Sequence, residues 1–329
     1  MNFHRSSVRL VFLIFCGALA ICGFSTRLAY DGFAAGQSLL VITQKATTTA
    51  RRHDRYGPPQ LLGQLQDSSI TESSGIVASR TTPGLFWTHN DSGDGPFIYS
   101  FDRKGNSRGV WQVTGARARD WEDIASGPGP LRNRVYLYLG DIGDNNEQRA
   151  TIVVYRIPEP TITAADAHST KRQPRSSAAA EAIQLRYPDG KHDAETLLVH
   201  PTSGDLYVIT KILFGKAGVY KAPAPLQTNK TVTLVHIADL DMPGLLGGFI
   251  TGGDISPDGR RVALCGYWYG YEIVLGGSES FDAIWKKPIS VFDLGARKQG
   301  EAVCYRLDGQ ALLATSEGLH SPLFEVVRR

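Results

Sequence analysis

Carboxylates recur in this sequence at the front of five apolar runs: "ESSGIVASR" from Glu72, "DWEDIASGP" from Asp120, "DAETLLVHP" from Asp193, "TGGDISPDG" from Thr251 and "QGEAVCYRLDG" from Gln299. Aligned on Ile76, Ile124, Leu197, Ile255 and Val303, they put Ser74, Glu122, Glu195, Gly253 and Glu301 at one position. Two residues earlier stand Glu72, Asp120, Asp193, Thr251 and Gln299. Strand residues two apart point the same way, so both sets would face one space if the segments converged. Asp123 and Asp254 fall one residue out of phase. Like charges gathered so closely raise one another's pKa and oppose folding unless a cation compensates them. Ca²⁺ suits such a set, because it takes about six to eight oxygen ligands from carboxylates, Asn side chains and carbonyls. Only His89 and His192 lie nearby, which argues against zinc.

More acid follows the next apolar run in two of the groups: "HNDSGDG" supplies Asn90, Asp91 and Asp94, and "GDIGDN" supplies Asp141, Asp144 and Asn145. A single Asp or Asn after a strand is ordinarily a turn former, and that reading fits Asp94, Asp141, Asp258 and Asp308 taken one at a time. "SPDG" and "RLDG" read as hairpin turns. Glutamate is a poor turn former, so the recurrence of Glu72, Glu122, Glu195 and Glu301 in register points to a shared role. "NDSGDG" matches the start of a calcium loop but lacks its distal glutamate.

The elements that would position these residues are short. After Gly63 the chain is a succession of Val/Ile/Leu/Tyr-rich runs separated by Gly, Pro, Asp and Asn, with no amphipathic helical stretch of ordinary length, which predicts an all-β fold. The runs recur in fours at about 45 to 75 residues, the range of β-propeller blades. In the first group "SGIVAS", "LFWTH", "FIYSF" and "GVWQV" are the four strands. Later groups show "VYLYL" and "IVVYRI", "LYVIT" and "GVYKA", "VALCGY" and "YEIVL". The last group has only "EAVCYR", "LLATS" and "LFEVV" before the C-terminus. "PQLLGQL", from Pro59 to Leu65, has no blade of its own and would complete that one, closing the ring and removing a sheet edge. Five blades are expected, or six if residues 158 to 180 hold further strands. In a propeller the first strand of each blade lines the central channel. The loop leading into it shares a face with the loop leaving the second strand, so both acid sets are expected at one channel mouth.

Bulk properties agree with a packed protein. The 329 residues are 42% hydrophobic, enough for a sizeable core. A net charge of +3 from 35 basic and 32 acidic residues, without Lys/Arg stripes, excludes a nucleic-acid partner. Residues 1–24 read as an export signal, with Arg5 and Arg9 before an apolar run from Leu10 to Phe24 that contains the small residues Ala18 and Ala20. The run is shorter than the roughly 20 residues of a membrane span. Cleaved signal and uncleaved anchor are the alternatives; both give an extracytoplasmic protein, touching a membrane only through this segment if uncleaved. Residues 25–58, including "ATTTARRHDRYGPP", read as a linker, and 59–329 as the propeller, expected to be a monomer. Beyond the signal only Cys265 and Cys304 remain, as a disulfide or as two buried thiols.

With an all-β repeat over about residues 60 to 329, an export signal, and the segments "DWEDIA", "DAETL" and "QGEAV", the chain resembles bacterial exported propellers related to β-propeller phytases and esterase-like phytase domains. More distantly it is similar to gluconolactonase and paraoxonase propellers. The resemblance implies calcium at the channel mouth, holding a phosphate or polarising a carbonyl. It implies Glu72, Glu122, Asp123, Glu195, Asp254 and Glu301 as ligands. The basic phosphate-binding cluster of the phytases has only positional counterparts in Arg117, Arg119, Lys191 and Lys211.

Three functions are open at this level. One is a calcium-dependent hydrolase of phosphoesters or lactones, with Glu122, Asp123 or His89 as base and Arg119 as the cation facing the metal. A second is a binding or scaffold propeller with structural calcium. A third is a glycoside hydrolase working through central carboxylates, with "CGYWYGYE" (Cys265 to Glu272) as an aromatic surface for a carbohydrate ligand. No "GxSxG" elbow or phosphate-cradling glycine loop is present.

Overall fold

The computed structural model describes residues 55–243 and 249–329. The export signal read in residues 1–24, and the linker as far as residue 54, lie outside the described residues. Among the described residues no helix is long and apolar enough to cross a membrane.

β1 (Gln60–Gln64) precedes a regular succession. β2 (Ser73–Ala78), β3 (Leu85–Asn90), β4 (Phe97–Asp102) and β5 (Ser107–Gln112) form the first blade; β6 (Trp121–Pro128), β7 (Val135–Asp141) and β8 (Ile152–Pro158) open the second. β9 (Arg175–Ser176) runs back to the outer edge of blade one, and β10 (Glu181–Arg186) completes blade two. β11 (Ala194–Val199), β12 (Leu206–Thr210) and β13 (Ala217–Ala222) belong to blade three. β14 (Val232–Thr233) adds to β10 on blade two, and β15 (Val235–Leu240) completes blade three. Blade four is β16 (Gly252–Ile255), β17 (Arg261–Cys265), β18 (Tyr269–Val274) and β19 (Ile289–Asp293). Blade five is β20 (Gly300–Tyr305), β21 (Ala311–Ser316), β22 (Pro322–Val327) and, antiparallel to β22, the early strand β1. The protein is therefore a five-bladed β-propeller closed by its N-terminal strand. Residues 158 to 180 contribute a short 3-10 turn (Ala164–His168) and β9, and no sixth blade.

The innermost strands β2, β6, β11, β16 and β20 each pack on the next, and β20 returns to β2. Covered on both faces, they are buried at almost every residue, whereas the outer strand β15 is largely exposed. Apolar side chains fill the wedges between neighbouring blades. Leu198, Tyr207, Ile255 and Leu264 fill the space between blades three and four; Ile76, Phe101, Cys304 and Leu313 do so between five and one. The turn formers behave as their chemistry dictates: Asp258 and Asp308 accept the amides of Arg260 and Gln310 at 3.0 and 2.9 Å, ahead of Gly259 and Gly309 at φ +68° and +65°. Cys265 and Cys304 are free buried thiols. Tyr56, at the end of the stretch read as a linker, is buried; its ring stacks on Phe292 and its hydroxyl donates to Glu272 at 2.6 Å.

Ring closure places two leucines of one segment in opposite environments, with Leu65 fully buried between blades five and one and Leu61 on β1 60% exposed. Leu65→Ala is expected to cost about 2–5 kcal/mol and to lower the melting temperature by about 5 °C or more. Leu61→Ala should stay within about 0.5 kcal/mol of the parent in denaturant unfolding. Equal effects of the two substitutions would contradict the closure.

Candidate metal centre at the channel mouth

Three of the carboxylates that face the mouth are aimed by an irregularity in their strands. Ser73 pairs with Asn90 and Gly75 with His89, leaving Ser74 as an extra residue; Glu122, Glu195 and Glu301 are extra in the same way in β6, β11 and β20. β16 pairs with β17 without a break, and there the equivalent residue is Gly253. A β-bulge bends its strand and re-aims the inserted side chain, so four of the five aligned positions sit on the same local device. Glu122, Glu195 and Glu301 are buried. In blade one the shorter Ser74 donates instead to the Glu122 carbonyl at 2.7 Å.

The loops leaving the second strands meet the segments leading into the first ones. Asp91 N donates to Glu72 O at 3.1 Å, Gly143 N to Asp120 O at 3.3 Å, Lys211 N to Asp193 O at 3.0 Å and Glu317 N to Gln299 O at 3.0 Å. Asp91, Asp120 and Glu122 converge until one oxygen of each lies within 4.8 Å of the others, a spacing that can hold a metal ion. Gly143 makes this approach feasible: a Cβ there would collide with Glu122 Oε1 and lie 2.6 Å from Asp120 Oδ2. Next to this trio Lys211 forms a buried ion pair with Glu195. Its Nζ also lies 4.6 Å from the Phe249 ring centre and 5.7 Å from that of Tyr267. Glu195 Oε2 is buried without a hydrogen-bond partner. Glu301 accepts from Gln299 Nε2 at 2.9 Å.

One ammonium among so many carboxylates shifts their titration. Burial, then the charges of Asp91, Glu195 and Asp120, push Glu122 well above the usual carboxylate range. Burial likewise raises Glu195 to about 8 against the pull of Lys211, and Glu301 upward with help from Glu195. Burial and the neighbouring Asp91 and Glu72 carry Glu317 to about 7. Burial works to lower Lys211, but Glu195 and Glu301 hold it well above the ordinary lysine value.

Other residues read from the sequence as ligands or catalysts do different work. Asp123 accepts Ile124 N at 2.8 Å on one oxygen and, on the other, Leu197 N at 3.0 Å and Gly253 N at 3.4 Å, lacing three inner strands. Asp254 does the same between Ile255 N and Tyr305 N, both at 2.8 Å. Asn90 is saturated: its oxygen accepts from Thr71 N and Glu72 N, and its amide donates to Ser69 O and Asp94. Asp144 accepts Arg149 N at 2.6 Å and donates its own amide to Asp193 at 2.8 Å; Arg149 pairs with Asp141 in a buried contact at 2.8 Å. His89 is fully buried, bonded through Nδ1 to Asn90 O at 2.8 Å, and burial lowers its pKa to about 4. Neither it nor Asp123 has the exposure a base for a mouth-bound substrate needs. Asn145, Arg117, Arg119 and Lys191 are exposed, as is Glu72, which bridges to Glu317. Of the four basic residues matched by position, Lys211 is the one whose ammonium reaches the carboxylates.

Sequence reasoning passed over Glu317 and matched Lys211 by position alone. Both stand one residue past the end of a second strand, the register of Asp91, so aligning the strand exits as the strand starts were aligned would have found them. Fold and mouth together define the class, a five-bladed β-propeller with an acidic channel mouth into which Lys211 reaches. The chain matches no family model, and no curated protein sequence matches it.

Two outcomes follow from this geometry. Gly143→Ala should cost about 1–3 kcal/mol through overpacking and splay Asp120 from Glu122; unchanged thermal unfolding would contradict the approach. For pH, the folded protein keeps protons on Glu195 to about pH 8 and on Glu122 and Glu301 well above the normal range, while the unfolded chain loses them at about pH 4 to 5. The folded state therefore binds more protons, and stability falls as pH rises. Lys211 stays charged in both states, and His89 is neutral in both above about pH 7. In chelator, the melting temperature should drop from pH 7 to 8.5, at about 1.4 kcal/mol per pH unit for each retained proton; a flat or rising profile counts against the buried acids.

Proposed function

We propose that the channel mouth binds calcium through Asp91, Asp120 and Glu122, and that the protein is a calcium-dependent hydrolase of ester bonds in lactones or phosphoesters. The observation that carries this reading is the convergence of those three carboxylates within 4.8 Å, beside a buried Glu195 oxygen with no partner. The donors are all hard oxygens, which suits calcium and not zinc. Bound there, the ion would polarise an ester oxygen and offset developing negative charge. Glu317, partly exposed and raised to about 7, is the group at the mouth suited to take a proton from an attacking water near neutral pH. Lys211 is already neutralised by Glu195, and Arg117, Arg119 and Lys191 are exposed, so a lactone or other lightly charged ester fits better than a polyphosphate. The resemblance to phytase-like and lactonase propellers supports the same chemistry, and the basic-then-apolar start supports delivery to a compartment rich in calcium.

A second reading, hydrolysis of a carbohydrate, is favoured by Trp268 and Tyr269, 52% and 53% exposed beside Tyr267, where a sugar ring could stack. A non-enzymatic propeller would need the ion only for stability.

Thermal unfolding of the full chain in calcium and in chelator is the test. At a hundredfold excess over Kd, binding stabilises by about 2.7 kcal/mol, a rise of about 5 to 10 °C for a domain near this size. Glu122→Gln should abolish the rise, and no rise in the parent removes the reading. Where a lactone or ester is turned over, Glu317→Gln should lower kcat by about 10²- to 10⁴-fold and remove the ionisation near pH 7 from the rate profile; turnover of glycosides alone would favour the second reading.

A further inference from the structure

Lys211 occupies the place of an ion. Its ammonium group pairs with Glu195 and is held by the charge of Glu301, and Glu301 in turn interacts with Glu317. The lysine side chain is 13% exposed and its partner Glu195 8%. A free lysine would leave so enclosed a place for water, since the ammonium is strongly hydrated; here carboxylates and the faces of Phe249 and Tyr267 replace that water. Lys211 also stands in the register of Asp91, one residue past its strand, so the fold points it at the same centre as the trio. Glu195 offers the ammonium one oxygen and keeps its other, Oε2, buried and unpartnered. That orphaned acceptor shows that the carboxylate set has more donor capacity than one lysine uses.

We propose that the mouth contains two adjacent cation positions, one permanently filled by the Lys211 ammonium group and one open to a divalent ion. The intact protein then takes a single calcium at Asp91, Asp120 and Glu122. Removing the lysine side chain opens a second oxygen-lined position at Glu195, Glu301 and Glu317. The tether thus sets the number of metal ions at the mouth, and keeps a cation beside Glu195 and Glu301 when calcium is absent. This inference rests on the ion-binding reading given above.

The test is equilibrium dialysis of the full chain against calcium chloride, counting bound ions per chain by atomic emission, for the parent, Lys211→Arg and Lys211→Ala. One ion is expected for the parent and for Lys211→Arg, and two for Lys211→Ala, with the second lost again in Lys211→Ala combined with Glu195→Gln. One ion in both parent and Lys211→Ala overturns the inference and leaves the single-site reading standing. No ion in the parent overturns both. If Lys211→Ala is unfolded in dilute buffer, recovery of its circular dichroism by millimolar calcium or by propylammonium supports the proposal, because either cation would refill the vacated position. A variant that stays unfolded in both overturns it.

Discussion

Mutual repulsion among carboxylates is the constraint on which the rest of this propeller depends. Acids from four of the five blades are brought to one channel mouth, with the Lys211 ammonium in their midst. Each remaining negative charge must be protonated, hydrogen-bonded or matched by something from solution. Glu301 takes a hydrogen bond from Gln299, Glu317 shares protons with the solvent near neutrality, and the Asp91, Asp120 and Glu122 trio has a spacing that a divalent ion can satisfy. Ion affinity and proton affinity are therefore two responses to one electrostatic excess.

The inner strands of different blades must also be tied to each other, and this is where acids of the same type acquire a second use. Asp123 follows Glu122 directly, yet one of its oxygens holds the backbone amides of Leu197 and Gly253, while Glu122 faces the mouth. Thr251 reaches the carbonyl of Gly300 at 2.9 Å, and Ser73 the hydroxyl of Thr315 at 2.9 Å, so short polar side chains continue the lacing round the ring. The bulge separates the two roles: one inserted residue aims outward, and the next resumes the pleat and binds its neighbour.

Much of this was legible in the sequence because it depended on repetition. The in-register acids, the alternation of short strands and the surplus strand before the first blade led to five blades and to the manner of their closure. The mouth was legible through glutamate, which has no common reason to sit at a turn. What escaped depended on contacts across blades. Asn90 and Asp91 are adjacent acid-loop residues of similar type, but only the geometry shows that Asn90 is saturated by Ser69, Thr71, Glu72 and Asp94 while Asp91 meets the trio. Asp254 looked like a ligand because it is acidic and near the motif, and one of its two amide partners, Tyr305, comes from β20, over fifty residues away. Lys211 was hidden by its own chemistry, since a lysine after a strand is ordinarily surface charge until its carboxylate neighbours are known.

The pairing of β1 with β22 joins Gln60 to Glu325, nearly the two ends of the described chain. Of the described strands, the first can therefore take its place only after the last has been made. Until then four blades can assemble in order while the fifth has no edge to offer, and the early segment waits as an unpaired strand. The entropy of joining such distant points grows only logarithmically with their separation, so the delay is one of sequence in time more than of energy. Latched this way, the ring ties its completion to one late pairing: without β22, β1 has no partner and its backbone edge stays exposed.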